Sequence, residues 1–187
     1  MRIVVLRKIP EEPSFLRQWD DLVLQMERPE VFYTSGWALA VQSAYQTSLK
    51  PLLLLGYDGD HLAGVACLAT DPGEQNVSFL AATTADYCDF LSHPQRRAEF
   101  IDKVFKELRQ LGAANLTLAS LPTDSATPAA LHAAAEKHRF HVYMRPACLC
   151  VQVELGSGEQ RREIKSALAG KKKLRRYLRT MEREGPV

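Results

Sequence analysis

Three strand-like runs follow one another in the first half of this chain, at 51–57, 61–69 and 76–81, and they leave few folds open. Asp58, Gly59 and Asp60 lie between the first two. An Asp-Gly step takes the positive φ of a tight hairpin at little cost, so these runs form an antiparallel pair. Asp71, Pro72 and Gly73 supply a turn before the third run. An apolar-striped helix and a further strand come next. Strand, helix and strand in succession form a crossover, which a parallel pair requires. A hairpin-joined meander followed by a crossover implies a mixed, mostly antiparallel central sheet with helices on both faces.

The rest of the chain fits around that sheet. Residues 2–9 are rich in β-branched side chains and read as a strand, stopped by Pro10 and Pro13. Phe15, Leu16, Trp19, Leu22, Val23 and Met26 recur at three- and four-residue spacing, the apolar face of a helix. Ser35 reads as the N-cap of a second helix carrying Trp37, Ala40, Val41 and Ala44. Residues 83–93 are polar and irregular. Pro94 suits the first turn of the crossover helix, whose stripe is Phe100, Ile101, Val104, Phe105, Leu108 and Leu111, with Gly112 at its end. Further expected elements are a strand at 114–121, a helix at 128–139, a strand at 142–155 bent near Pro146, and a basic helix at 159–184. The expected order is β-α-α-β-β-β-α-β-α-β and a final basic helix. The expected division is a domain at 1–158 and a basic connecting helix at 159–187.

The chain has 187 residues, enough for one domain and an appendage. With 46% hydrophobic and 25% charged residues, it is neither disordered nor a fibrous repeat. Its longest apolar runs, such as 52–55, fall far short of the about 20 residues that cross a bilayer. The first residues include Arg2, Arg7 and Lys8 and do not read as a signal peptide. Cys67, Cys88, Cys148 and Cys150 have no disulfide or metal-ligand spacing, so a reducing cytoplasm is the expected compartment and no metal is expected. The net charge of +2 hides an asymmetry. Residues 161–187 hold ten Lys and Arg against three Asp and Glu, a local +7, while the first 160 residues carry −5.

Three local patterns narrow the fold to a family. Phe32, Tyr33, Thr34, Ser35, Gly36 and Trp37 resemble the Phe-x-x-x-x-Trp lead-in to the second helix of FemAB-like and CelD-like acyltransferases of the GNAT superfamily. Asp86, Tyr87, Cys88 and Asp89 resemble the Asp-Tyr-x-Asp loop that follows their meander. Lys173, Leu174, Arg175 and Arg176, with Glu182, Arg183, Glu184 and Gly185, resemble their basic connecting helix. The resemblance implies a GNAT-like fold over residues 2–155. It also implies that this chain corresponds to the N-terminal half of a protein with two such domains, the second in cis or on a partner chain. Acyl-CoA, acetyl-CoA among the donors, is implied as cofactor of the whole family protein. The implied acceptor is a small molecule or a cell-envelope polysaccharide bearing an amine or hydroxyl.

The residues themselves test that implication. A GNAT enzyme holds the coenzyme A pyrophosphate on backbone N–H groups at a helix N-terminus, where glycines permit close approach. No glycine occurs from Glu74 to Leu111 in this chain, and Asp86 and Asp89 would repel a pyrophosphate. The chain is therefore expected not to bind acyl-CoA alone and to be inactive alone. Asp86, Tyr87 and Asp89 are instead candidate substrate-binding residues toward an amine or hydroxyl; self-capping of the loop is the alternative for them. No catalytic residue is assigned.

The basic tail has its own readings. Ile164, Leu168, Leu174, Leu178 and Met181 fall near one helical face, with cations on the other. A connector packed on a neighbouring domain is the leading expectation. The alternative is a non-enzymatic module that touches nucleic acid or anionic lipid through Lys171, Lys172, Lys173, Arg175, Arg176 and Arg179. Tyr177 alone interleaves as an aromatic, so nucleic acid is the weaker expectation. Self-association through the apolar stripe is a further alternative. Trp19 and Trp37 are expected in the core, Cys148 and Cys150 in a strand, and His138 and His141 in a solvated or capping role at a helix-to-strand turn.

Overall fold

The computed structural model describes residues 1–147, 149 and 156–184. They fall into two compact units, Met1–Ala147 and Cys148–Val187.

The first unit is built on a six-stranded sheet. Its strands are β1 (Arg2–Leu6), β2 (Lys50–Asp58), β3 (His61–Thr70), β4 (Asn76–Phe79), β5 (Leu91–Ser92) and β6 (Asn115–Thr117). The spatial order is β1-β2-β3-β4-β6, and β5 pairs with β3 beside β4. Every pair is antiparallel except β4 with β6. This is the mixed sheet that the meander and crossover predict.

Helices cover both faces of the sheet. Leu52 and Leu54 of β2 and Ala66 and Leu68 of β3 pack with α3 (Arg97–Gln110) and α4 (Thr127–Lys137). Leu53 and Leu55 of β2 and Val65 and Ala69 of β3 pack with α1 (Pro13–Leu24) and α2 (Ser35–Ala44). A strand covered on both faces cannot alternate apolar with polar, which explains the unbroken Leu52 to Leu55 run. Gly56 and Gly64 oppose each other across β2 and β3. A Cβ on Gly64 would sit 2.7 Å from Phe100 Cδ2, and one on Gly56 3.0 Å from it. The glycine pair is a seat for that ring.

Helix ends follow local chemistry. Gly112, with φ +79°, closes α3: its N–H donates to Arg109 O, and Ala113 N–H donates to Leu108 O. The second helix is capped one residue earlier than expected. Thr34 has extended φ and ψ, and its Oγ1 accepts from Trp37 N–H. Ser35 instead donates its N–H and Oγ–H to the two carboxylate oxygens of Asp20, at 2.8 and 2.9 Å, tying α2 to α1.

Several expected strands are shorter. β1 ends at Leu6, though Ile9 beyond it is fully buried and donates its N–H to Gln42 Oε1 at 2.8 Å. β6 spans three residues rather than 114–121. Residues 142–147 form no strand and are exposed, and the remainder of that expected strand, with Cys148 and Cys150, lies outside the described residues.

The second unit holds α5 (Gly158–Gly170) and α6 (Lys172–Glu184) where one helix was expected. Lys171 is extended, with ψ 120°, and Gly170 before it is a poor helix former. Arg175 Nη2 donates to the freed Gly170 carbonyl at 2.7 Å.

Candidate functional site

The sheet has a break, and the candidate site lies there. β3 pairs with β4 at Leu68, Ala69 and Thr70 and with β5 at Gly64 and Val65. Between them the chain leaves the sheet after Leu80, whose N–H donates to Cys67 O at 3.0 Å, and returns at Phe90. The excursion begins with a tight turn in which Thr84 and Ala85 N–H groups donate to Ala81 O at 2.9 Å. It is pinned at Cys88, whose N–H donates to Ser120 O at 2.9 Å. Ser120 holds φ +59°, a conformation costly for a residue with a Cβ. This contact joins the excursion to the chain just beyond β6, at the ends of the parallel pair.

A buried ionic cluster anchors the excursion. Arg97, 1% exposed, is the first residue of α3. Its guanidinium donates to Ser92 Oγ, Ser92 O, Thr127 Oγ1 and Glu27 Oε2, at 2.9 to 3.1 Å, and more distantly to Asp89 Oδ2 at 3.4 Å. Asp89 Oδ1 accepts from its neighbour Phe90 N–H at 2.7 Å and from Thr127 Oγ1–H. Burial raises the Asp89 carboxyl above its ordinary value, against the lowering effects of the Thr127 bond and Arg97. Two carboxylates, Asp89 and Glu27, thus share one guanidinium.

Beside Asp89 lies a small, partly open cavity of about 30 Å³. A void of that size holds one water-sized group. Its walls include Trp19, Phe32, Tyr33, Phe79, Cys67 and Cys88. The Trp19 indole N–H is fixed by a 2.8 Å bond to Tyr33 O. Burial pushes both thiols up to about 12, so they are neutral. Burial, reinforced by the Asp89 charge, also pushes the Tyr33 phenol well up.

The predicted loop residues separate here. Asp86 is exposed, Tyr87 is half-buried against the cluster on the α1 and α2 face, and Asp89 is buried at 6%. The six candidate cations of the tail, Lys171, Lys172, Lys173, Arg175, Arg176 and Arg179, are exposed. The start of α3 is fully committed. Arg96 bonds Asp58 at 2.7 Å and Glu99 at 2.9 Å, and the Met1 ammonium lies 3.3 and 3.4 Å from the same two carboxylates. Among the described residues, no group of three or more His, Cys, Asp or Glu could hold a metal ion. No helix among the described residues is long and apolar enough to cross a membrane.

Sequence reasoning missed Arg97, Ser92, Thr127 and Glu27. A signal existed for the first: Arg97 precedes Phe100 and Ile101 by three and four residues, on the buried stripe of α3. His138, expected in a solvated or capping role, is the C-cap residue of α4 and pairs with Asp102 Oδ1 at 2.9 Å. Trp37 is half-buried, with its ring edge-on to Phe32 at 5.0 Å and its Nε1 unpartnered.

No protein-family model and no curated relative matches the chain. Two solved structures are similar to it. One is a mutant of the Thermus thermophilus protein TTHA1254, 20% identical, with a TM-score of 0.41 over 84% of this chain and 100% of that one. The other is an acetyltransferase from Trypanosoma brucei, 16% identical, with a TM-score of 0.43 over 80% of this chain and 99% of that one. Both superpositions are loose, and the fold described above rests on the strand pairing itself.

Proposed function

We propose that residues 1–147 form the acceptor-side domain of an acyltransferase that moves an acyl group from acyl-CoA to an amine or hydroxyl. The excursion at the sheet break carries this reading: it presents Asp86 to solvent with Tyr87 beside it, on a base fixed by Asp89, Arg97 and Thr127. A carboxylate accepts hydrogen bonds from an ammonium or a sugar hydroxyl, and a phenol adds a stacking face and a donor. A rigid base for a polar loop is what acceptor recognition needs. The donor belongs elsewhere in this reading. The start of α3 has no glycine, and Arg96 and Arg97 are spent on internal carboxylates, so neither guanidinium is left for a pyrophosphate. A second GNAT-like domain, in cis or as a partner chain, holds acyl-CoA, and the amine or hydroxyl attacks the thioester there.

Calorimetry and amide NMR test this together. Acetyl-CoA should give no binding heat to this chain. A simple amine or glycoside should shift amide resonances in the 80–90 excursion. Micromolar acetyl-CoA binding, or an excursion indifferent to every acceptor probe, overturns the proposal.

A second reading is favoured by the exposure of all six basic tail residues, with Leu174 and Tyr177 also 45% and 53% exposed. In it, α6 contacts nucleic acid or anionic lipid. A steep salt-dependent loss of nucleic-acid affinity that vanishes on deleting 171–187 would favour it.

A further inference from the structure

We infer that α6 lies on an anionic membrane surface, with its apolar stripe in the headgroup boundary and its cations against lipid phosphates. This inference rests on the second reading, in which α6 makes the contact, and chooses between its two partners.

The helix carries two features at once. By register, Leu174, Tyr177, Leu178 and Met181 occupy one arc of about 100°. Lys172, Arg176, Arg179 and Arg183 occupy the opposite arc, and Lys173 and Arg175 flank the apolar one. All six cations are exposed, and so are Leu174 and Tyr177. Set against Glu182 and Glu184, the six cations leave α6 at +4. The first 160 residues carry −5, so attraction to an anionic surface comes from the tail. Lys173 Nζ stands 5.9 Å over the Tyr177 ring, where the two arcs meet. An apolar body with a charged or polar rim suits a boundary between water and hydrocarbon.

The stripe decides between the partners. A duplex rewards the cations through its phosphates and leaves the apolar arc in water. Single strands need aromatic faces to stack on, and Tyr177, the one aromatic of α6, has Lys173 over its ring. An anionic bilayer rewards both arcs: apolar side chains enter the headgroup boundary while Lys and Arg meet lipid phosphates. Thirteen helical residues span about 20 Å, short of the about 30 Å hydrocarbon core, so α6 lies in the surface rather than across it.

The test is vesicle co-sedimentation of the full 187-residue chain. The probes are phosphatidylcholine vesicles, the same vesicles with about one-third phosphatidylglycerol, and a short DNA duplex. The anionic vesicles should bind the chain roughly 10-fold or more tighter than the neutral ones. Lys172→Gln and Arg176→Gln should each weaken that binding about 5-fold. Leu174→Ala combined with Tyr177→Ala keeps every charge and the helix propensity but removes the apolar bodies. It should weaken vesicle binding roughly 10-fold and leave duplex binding unchanged. The two charge variants carry the test if the double variant loses α6. Equal binding to neutral and anionic vesicles, or an unchanged vesicle affinity in a double variant that keeps α6, overturns the inference. If the duplex binds more tightly than the anionic vesicles, the membrane assignment falls and the second reading stands. If neither binds, both fall, and a dimer in sedimentation velocity that the double variant dissociates would then assign the stripe to a second copy. The acceptor-side reading depends on none of these outcomes.

Discussion

Arg97 Nη1 lies 3.4 Å from Asp89 Oδ2, with the two side chains 1% and 2% exposed. A pair this deeply sealed contributes little by existing, yet losing one member leaves an uncompensated buried charge. Arg97→Met should therefore destabilise the domain by about 3–5 kcal/mol, read from urea unfolding. The double variant Asp89→Asn with Arg97→Met removes both charges and should recover part of that loss. The pH dependence has a definite sign. The Asp89 carboxyl is already raised in the native state. Without Arg97 it rises further, so the native state takes up its proton before the unfolded chain does. The Arg97→Met deficit should shrink as pH falls toward that raised value. A deficit that grows on acidification would contradict the burial of this carboxyl.

Gly64→Ala tests how tightly α3 is seated. The added Cβ would meet Phe100 Cδ2 and Cε2 at 2.7 Å, and Phe100 is fully buried, so the ring cannot swing into solvent. Overpacking of this kind costs about 1–3 kcal/mol. Combining Gly64→Ala with Phe100→Leu should cost less than the sum of the two, because the smaller side chain vacates the space. Additive losses would show that the ring and the strand do not compete for it.

The meander was legible because its signals are local. Short apolar runs, the Asp58 to Asp60 turn and the apolar stripes of α1 and α3 each act within a few residues. The ionic cluster was not, because Arg97 meets Glu27 and Thr127 across 70 and 30 positions of sequence. Nothing local says that Asp86 faces water while Asp89, three residues on, turns inward to Thr127. β5 has two residues and no pattern to detect; only its pairing with Gly64 and Val65 reveals it. In the tail, helical periodicity runs through Gly170 and Lys171, and the break depends on one extended residue that the stripe cannot register.

Trp19 joins α1 to the lead-in of α2 through its 2.8 Å bond to Tyr33 O, and it is 1% exposed. Trp19→Phe deletes that donor, leaves the Tyr33 carbonyl unsatisfied and opens space beside the cavity. The combined cost should be about 2–4 kcal/mol in urea unfolding. The loss of Tm should come with faster hydrogen exchange in α1 and α2 than in α3 and α4, since only the former face loses its tie. Uniform exchange across both faces would show that Trp19 acts through the whole domain instead.

Asp102 joins α3 to α4 by bonding Lys137 Nζ and His138 Nε2, both at 2.9 Å. These side chains are partly exposed, so solvent screening limits their worth. Asp102→Asn should cost at most about 1 kcal/mol at neutral pH. Bonds from Lys137 and His138 outweigh burial and hold the carboxyl below its ordinary 3.8 in the native state. A depressed carboxyl contributes stability above the unfolded value and loses it as pH falls through the native one. The wild-type advantage over Asp102→Asn should therefore be lost as pH falls through that lowered value. Chemical denaturation at stepped pH reads this directly. An advantage that persists in strong acid would mean that Asp102 acts through packing rather than through its charge.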